Sequence, residues 1–133
     1  EQYLEKVALL KSLVPNVALG TDIIVGFPTE TDEEFQATYD IMKEIEYELA
    51  YIFAYSARKG TPAMRWKDDV REEVKQERLQ KLMTLQAEIN IKHLQKMLDQ
   101  EVEVLVDSHN FKDSALLKGR TRCWKKVIFR GPD

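Results

Sequence analysis

Three groups of side chains in this 133-residue sequence could do chemistry by their type and spacing. The first is Gly26, Phe27, Pro28 and Glu30, which follow the short apolar run from Asp22 to Val25. Gly26 lets backbone approach a ligand closely, and the N–H groups of a following helix suit an anionic or polar group. The second is Ser56 and Arg58, in a Gly- and Pro-containing loop after another apolar run. A guanidinium there can pair with phosphate or carboxylate in fork geometry. Taken alone, Arg58 reads first as a solvated loop arginine bonded to local carbonyls. The third lies between Leu116 and Arg130, where Lys118, Arg120, Arg122, Lys125, Lys126 and Arg130 occur with no acidic residue. Trp124 and Phe129 are interleaved with them. Cations among aromatics suit RNA, whose phosphates take the charge while unstacked bases lie on rings. Basic strand faces also occur without any nucleic acid.

Composition bounds these readings. Hydrophobic residues make up 44% and charged residues 32%, which fits a globular protein. No apolar run approaches the roughly 20 residues of a membrane-spanning helix. The net charge of −3 gives no global pull towards nucleic acid, although an average can hide a local patch. Cys123 is the single cysteine. It excludes an internal disulfide and cannot by itself hold an iron–sulfur cluster, so it reads as a small structural residue. His93 and His109 have no partner at ligand spacing and read as structural or solvated. The opening residues, with neither an initiator Met nor a signal peptide, lead us to expect a chain that begins within a longer protein.

The elements that must position these groups follow from periodicity. A helix is expected over residues 1–14, stopped by Pro15. A strand follows over 17–25, entering through Thr21 and Asp22 and suited to burial on both faces of a parallel sheet. Thr31 and Glu34 form a capping box that announces a helix over about 32–47, with Phe35, Thr38, Tyr39, Met42 and Ile45 as its apolar stripe. Residues 49–55 read as a second buried parallel strand. Both polar turns would then leave the carboxyl ends of adjacent strands, where α/β proteins place ligands. A long helix over about 71–98 carries Val74, Leu79, Leu82, Leu85, Gln86, Ile89, His93, Leu94 and Met97 near one face. Glu72, Glu73, Lys75, Glu77, Lys81, Glu88 and Lys92 fall mostly elsewhere. The texture then changes. Residues 101–106 alternate with period two, as in a half-buried antiparallel strand. A polar loop over 107–114 precedes two short strands, 116–122 and 126–130. Lys118, Arg120 and Arg122 should share one face.

Two blocks of this sequence resemble a known family. Asp-Ile-Ile-Val-Gly-Phe-Pro-x-Glu-Thr (from Asp22) and Tyr-Ser-x-Arg-x-Gly-Thr-Pro-Ala (from Tyr55) are similar to the radical S-adenosylmethionine methylthiotransferases of the MiaB type. Gly-Arg-Thr-Arg (from Gly119), with Val-Ile-Phe downstream, resembles the start of a TRAM domain, the small RNA-binding β-barrel of these enzymes. Thr29 stands where the family usually has glycine, and a β-branched residue resists a left-handed backbone. Cys123-Trp124-Lys125-Lys126 replaces the turn that commonly carries an asparagine.

The resemblance implies an α/β fold: the C-terminal part of a partial TIM-like (βα) barrel over 1–98, then the beginning of an antiparallel β-barrel over 99–133. It implies a parent that adds sulfur and methyl at C2 of an isopentenylated adenosine beside the tRNA anticodon, in the cytoplasm. S-adenosylmethionine and two 4Fe–4S clusters would serve that chemistry, the clusters held by cysteines outside this chain. Gly26, Phe27, Pro28, Glu30, Ser56 and Arg58 would lie on the S-adenosylmethionine side. Lys118, Arg120, Arg122, Lys125 and Lys126 would meet phosphates of the anticodon stem-loop. A related methylthiotransferase acting on a ribosomal protein and a non-catalytic RNA-binding module are the alternatives. An incomplete barrel also leaves an open strand edge that invites self-association.

Overall fold

The computed structural model describes residues 2–131. The chain divides into two compact units, one up to Leu94 and one from Gln95 onward.

In the first unit, helix α1 (Gln2–Leu13) leads to strand β1 (Gly20–Val25), helix α2 (Asp32–Ile45), strand β2 (Leu49–Ala54), a 3-10 turn (Pro62–Arg65) and helix α3 (Glu72–Lys96). β1 and β2 pair in parallel, with Gly20 opposite Leu49 and Val25 opposite Ala54. The start of β1 at Gly20 shortens the expected strand: residues 17–19 lie outside the ladder. The capping box is present, with Glu34 N–H donating to Thr31 Oγ1 at 3.2 Å and Thr31 N–H donating to Glu34 Oε2 at 2.9 Å. Asp32, Glu33 and Glu34 in the first turn of α2 complement the helix dipole.

The core forms where the helices meet one face of the two-stranded sheet. Val25, Phe35, Met42, Ile45, Tyr47, Leu82, Leu85 and Ile89 are buried in one cluster, with Leu4, Val7, Ile23, Ala50 and Ile52 packed against it. Burying such side chains contributes roughly 1.5–3 kcal/mol each and is the dominant favourable term. The strands are covered on this face only, which corrects the expectation of burial on both faces. Ile24, Leu49, Tyr51 and Phe53 alternate with the core residues and are exposed, Tyr51 at 55%. A near-continuous apolar run could not reveal this, because it carries no period-two signal to separate the faces.

A second correction concerns α3. Lys75 and Arg78 are buried, on the same stripe as Leu82, Leu85 and Ile89. Lys75 does not face water with the neighbouring glutamates.

In the second unit, β3 (Val104–His109), β4 (Leu117–Thr121) and β5 (Lys126–Phe129) form an antiparallel sheet in the order β3-β4-β5. The first of these strands sits later than the 101–106 alternation suggested. Its register shifts between Val106 and Ser108, leaving Asp107 as a bulge. Leu105 and Val106 are both exposed, so β3 is not the half-buried strand its alternation implied. Gly119 is needed where β4 crosses β3: a Cβ there would meet Leu105 O and Val104 Cγ1, both at 2.5 Å. The sheet is not closed into a barrel among the described residues.

Candidate functional site

In the first unit the 26–30 turn and the 56–61 loop leave the same edge of the parallel pair, because Val25 and Ala54 are register partners. Tyr55 N–H donates to Val25 O at 2.8 Å, tying the start of one loop to the end of the other strand. The Phe27 ring meets Tyr55 edge-on at 5.1 Å and Trp66 at 5.5 Å. Beside the Phe27 and Tyr55 rings lies a cavity of about 360 Å³, lined by Ile24, Phe27, Phe53, Ser56, Arg58 and Thr61 among others. Its walls are largely apolar and aromatic, with Ser56 and the Arg58 cation at one side. Thr61 donates to Arg58 O through N–H (3.1 Å) and Oγ1 (2.8 Å), which fixes the loop backbone. Among the described residues no carboxylate pairs with the Arg58 guanidinium. Gly26 and Pro28 are buried, Phe27 is half-buried, and Ser56 and Arg58 are exposed.

The turn is held from within by Glu30 and from outside by Arg78 on α3. Glu30 folds back so that Oε2 accepts from Gly26 N–H and from Arg78 Nη1, both at 2.6 Å. Arg78 also donates to Glu30 O at 3.1 Å and to Asp32 Oδ1 at 2.7 Å. Its side chain is only 6% exposed. Burial works against the charged guanidinium, yet the hydrogen bonds it donates to Asp32 and Glu30, together with their negative charges, outweigh it and hold its pKa above the usual arginine value. Lys75 lies beside it, with Nζ 2.6 Å from Asp68 and 5.4 Å from the centre of the Tyr55 ring.

Gly26 has φ +69°, and a Cβ there would lie 2.3 Å from Lys75 Cγ. Thr29 also has positive φ, +74°. The resistance of a β-branched residue is thus overcome at a strain cost of about 1–2 kcal/mol, and Thr29 N–H finds Asp69 Oδ1 at 2.8 Å. Sequence reasoning missed Lys75, Arg78 and Trp66. The available signal was phase: Lys75 and Arg78 continue the Leu82–Leu85–Ile89 stripe backwards at helical spacing.

The second unit carries the basic face. Lys118 and Arg120 lie opposite Ile128 and Lys126 on β5, so Lys118, Arg120 and Lys126 share one side of the sheet. Arg122 lies beyond the end of β4. Two of the expected phosphate-binding cations have acidic partners supplied by earlier residues. Arg120 Nε is 3.2 Å from Asp107 Oδ2, and Arg122 Nε pairs with Glu103. The 116–130 stretch contains no acid, but the sheet brings these two across from β3 and its approach. Lys118 and Lys126 have no ion pair among the described residues.

Tyr47, outside both sites, is hydrogen-bonded to Tyr3 at 2.5 Å, and burial pushes its hydroxyl up in pKa. His93 lies between Glu46 O and Glu48 Oε1, and His109 Nδ1 lies 3.0 Å from Ser114 O. Among the described residues no group of three His, Cys, Asp or Glu side chains could hold a metal ion. No helix among them is long and apolar enough to cross a membrane.

No family model matches the chain. Curated proteins do. It is 70% identical over 133 residues to the tRNA-2-methylthio-N(6)-dimethylallyladenosine synthase of Protochlamydia amoebophila, covering 100% of this chain and 30% of that protein. It is 48% identical over 132 residues to the synthase of the same name from Bacillus licheniformis, covering 99% of the chain and 26% of the relative. Identity is 49% over 132 residues to the one from Geobacillus thermodenitrificans, with 99% and 25% covered. Over its whole length the chain is thus homologous to one segment of these synthases, and it spans 30% of the length of the first relative and 26% of the second.

Proposed function

We propose that this chain is the C-terminal part of a radical S-adenosylmethionine barrel together with the first strands of a TRAM domain. Its full-length protein methylthiolates C2 of N6-isopentenyladenosine beside the anticodon of cytoplasmic tRNA. The observation that carries this is the meeting of the 26–30 turn and the 56–61 loop at one strand edge around an aromatic cavity. The names of the relatives supply the reaction and favour tRNA over a ribosomal protein as substrate.

The cavity fits part of S-adenosylmethionine. Phe27 and the other apolar walls suit the nucleoside, and the unpaired Arg58 guanidinium suits a carboxylate. Gly26 and Pro28 shape the backbone of that rim, and Ser56 adds a hydroxyl. Glu30 takes a different task from direct contact: its carboxylate is committed to Gly26 and Arg78. S-adenosylmethionine supplies radical generation and the methyl group when bound. The single cysteine does not fit a 4Fe–4S cluster, so the two clusters belong with cysteines elsewhere in the full-length protein. In the second unit Lys118 and Lys126, with Lys125, are the cations that meet tRNA phosphate. The open edges of the incomplete sheet would let an isolated segment self-associate.

The test is nucleoside analysis of tRNA from a strain lacking the full-length gene. Methylthiolated isopentenyladenosine should disappear and its unmethylthiolated precursor accumulate. Unchanged levels would reject the tRNA assignment.

A further inference from the structure

We propose that the exposed Trp124 ring and the groove beside it bind one unpaired nucleobase, a task distinct from phosphate attraction by the neighbouring lysines. This rests on the RNA-binding reading of the second unit and sharpens it. The groove, about 460 Å³, is lined by Glu103, Leu105, Asp107, Arg120, Arg122 and Trp124 among others. Both of its arginines are matched by carboxylates, Arg120 by Asp107 and Arg122 by Glu103. A phosphate entering here would meet two carboxylates as well as two guanidiniums, so the local field does not favour it. The same groups suit a base. An aromatic face stacks on any base, a guanidinium plane extends the stack, and a carboxylate accepts from an exocyclic amine.

The ring is also held ready. Trp124 sits in the turn between β4 and β5 with φ +63°, a conformation that tryptophan adopts at a cost. The turn is fixed by Trp124 N–H to Thr121 O (3.0 Å), Thr121 N–H to Lys125 O (3.0 Å) and Lys125 N–H to Thr121 Oγ1 (3.1 Å). Arg120 lies over the ring, 4.6 Å from its centre, and Asp107 holds that guanidinium. Trp124 nevertheless remains 70% exposed. A strained, pinned turn that presents a large ring to solvent, with acceptor groups alongside, is built for a planar partner.

The experiment uses the full-length protein and two probes: a short RNA hairpin carrying 2-aminopurine at one loop position at a time, and a blunt duplex of its stem. Trp124→Ala should weaken hairpin binding about tenfold, abolish the protein-induced change in 2-aminopurine fluorescence, and leave the salt dependence intact. Trp124→Phe should retain most of both signals. Trp124→Gly, which suits the positive φ and so preserves the turn, should lose as much as the alanine variant. Duplex affinity should not respond to any of the three. Hairpin affinity within about twofold of the parent in both the alanine and glycine variants, or equal losses for hairpin and duplex, would overturn the proposal. Those results leave the RNA reading standing; only the absence of salt-dependent binding to either probe by the unsubstituted protein would remove that.

Discussion

Replacing Gly26 by alanine is expected to destabilise the protein by about 3 kcal/mol. Two costs add. At φ +69° a Cβ is strained, and the atom it would strike, Lys75 Cγ at 2.3 Å, is near the root of a side chain that cannot swing away. Lys75 is anchored at its far end by Asp68 and lies over the Tyr55 ring, so displacing it disturbs both loops of the rim at once. A fall in the denaturant midpoint, together with weaker binding of S-adenosylhomocysteine by whatever protein remains folded, is the expected result. A midpoint matching the parent would show that the turn does not pack against α3 in this way.

Arg78→Met is expected to cost about 3 kcal/mol, because it leaves the Glu30 carboxylate largely buried without its cation. Asp32 adds little to that figure, since its side chain is 90% exposed and solvent screens the pair. The charge can be removed from the other side as well. Glu30→Gln in the Arg78→Met background should recover part of the loss, because a neutral amide oxygen still accepts from Gly26 N–H without a stranded charge. Thermal unfolding of the two single variants and the double variant measures this coupling. Strictly additive losses would mean that Arg78 and Glu30 do not act as a pair.

How much of this was legible beforehand depended on whether the signal was local. Thr31 and Glu34 announced α2 because a capping box is complete within four residues. The two rim loops were placed together by the alternation of strand and helix alone, since parallel neighbours share their carboxyl edge. The internal wiring of the rim was not legible. Glu30 reads as a cofactor-side residue of the turn until α3, more than forty positions later, delivers Arg78 to it. Likewise the acid-free stretch around Arg120 gave no sign of Asp107 and Glu103, which arrive by strand pairing. The misplacement of β3 has the same origin: the 101–106 alternation is a local pattern, whereas the ladder is set by the bulge at Asp107 and by Gly119.

The two units are assigned different jobs, so their variants should fail in different ways. The decisive measurement is steady-state methylthiolation of tRNA by the full-length enzyme, varied separately in S-adenosylmethionine and in tRNA. Arg58→Ala should raise the KM for S-adenosylmethionine about tenfold, the worth of one charge-assisted contact, and leave that for tRNA unchanged. Lys118→Glu with Lys126→Glu should raise the KM for tRNA, flatten its salt dependence and leave that for S-adenosylmethionine unchanged. If both variants shifted the same parameter, or the lysine pair changed neither the KM for tRNA nor its salt dependence, the division between a cofactor rim and a nucleic-acid face would be wrong.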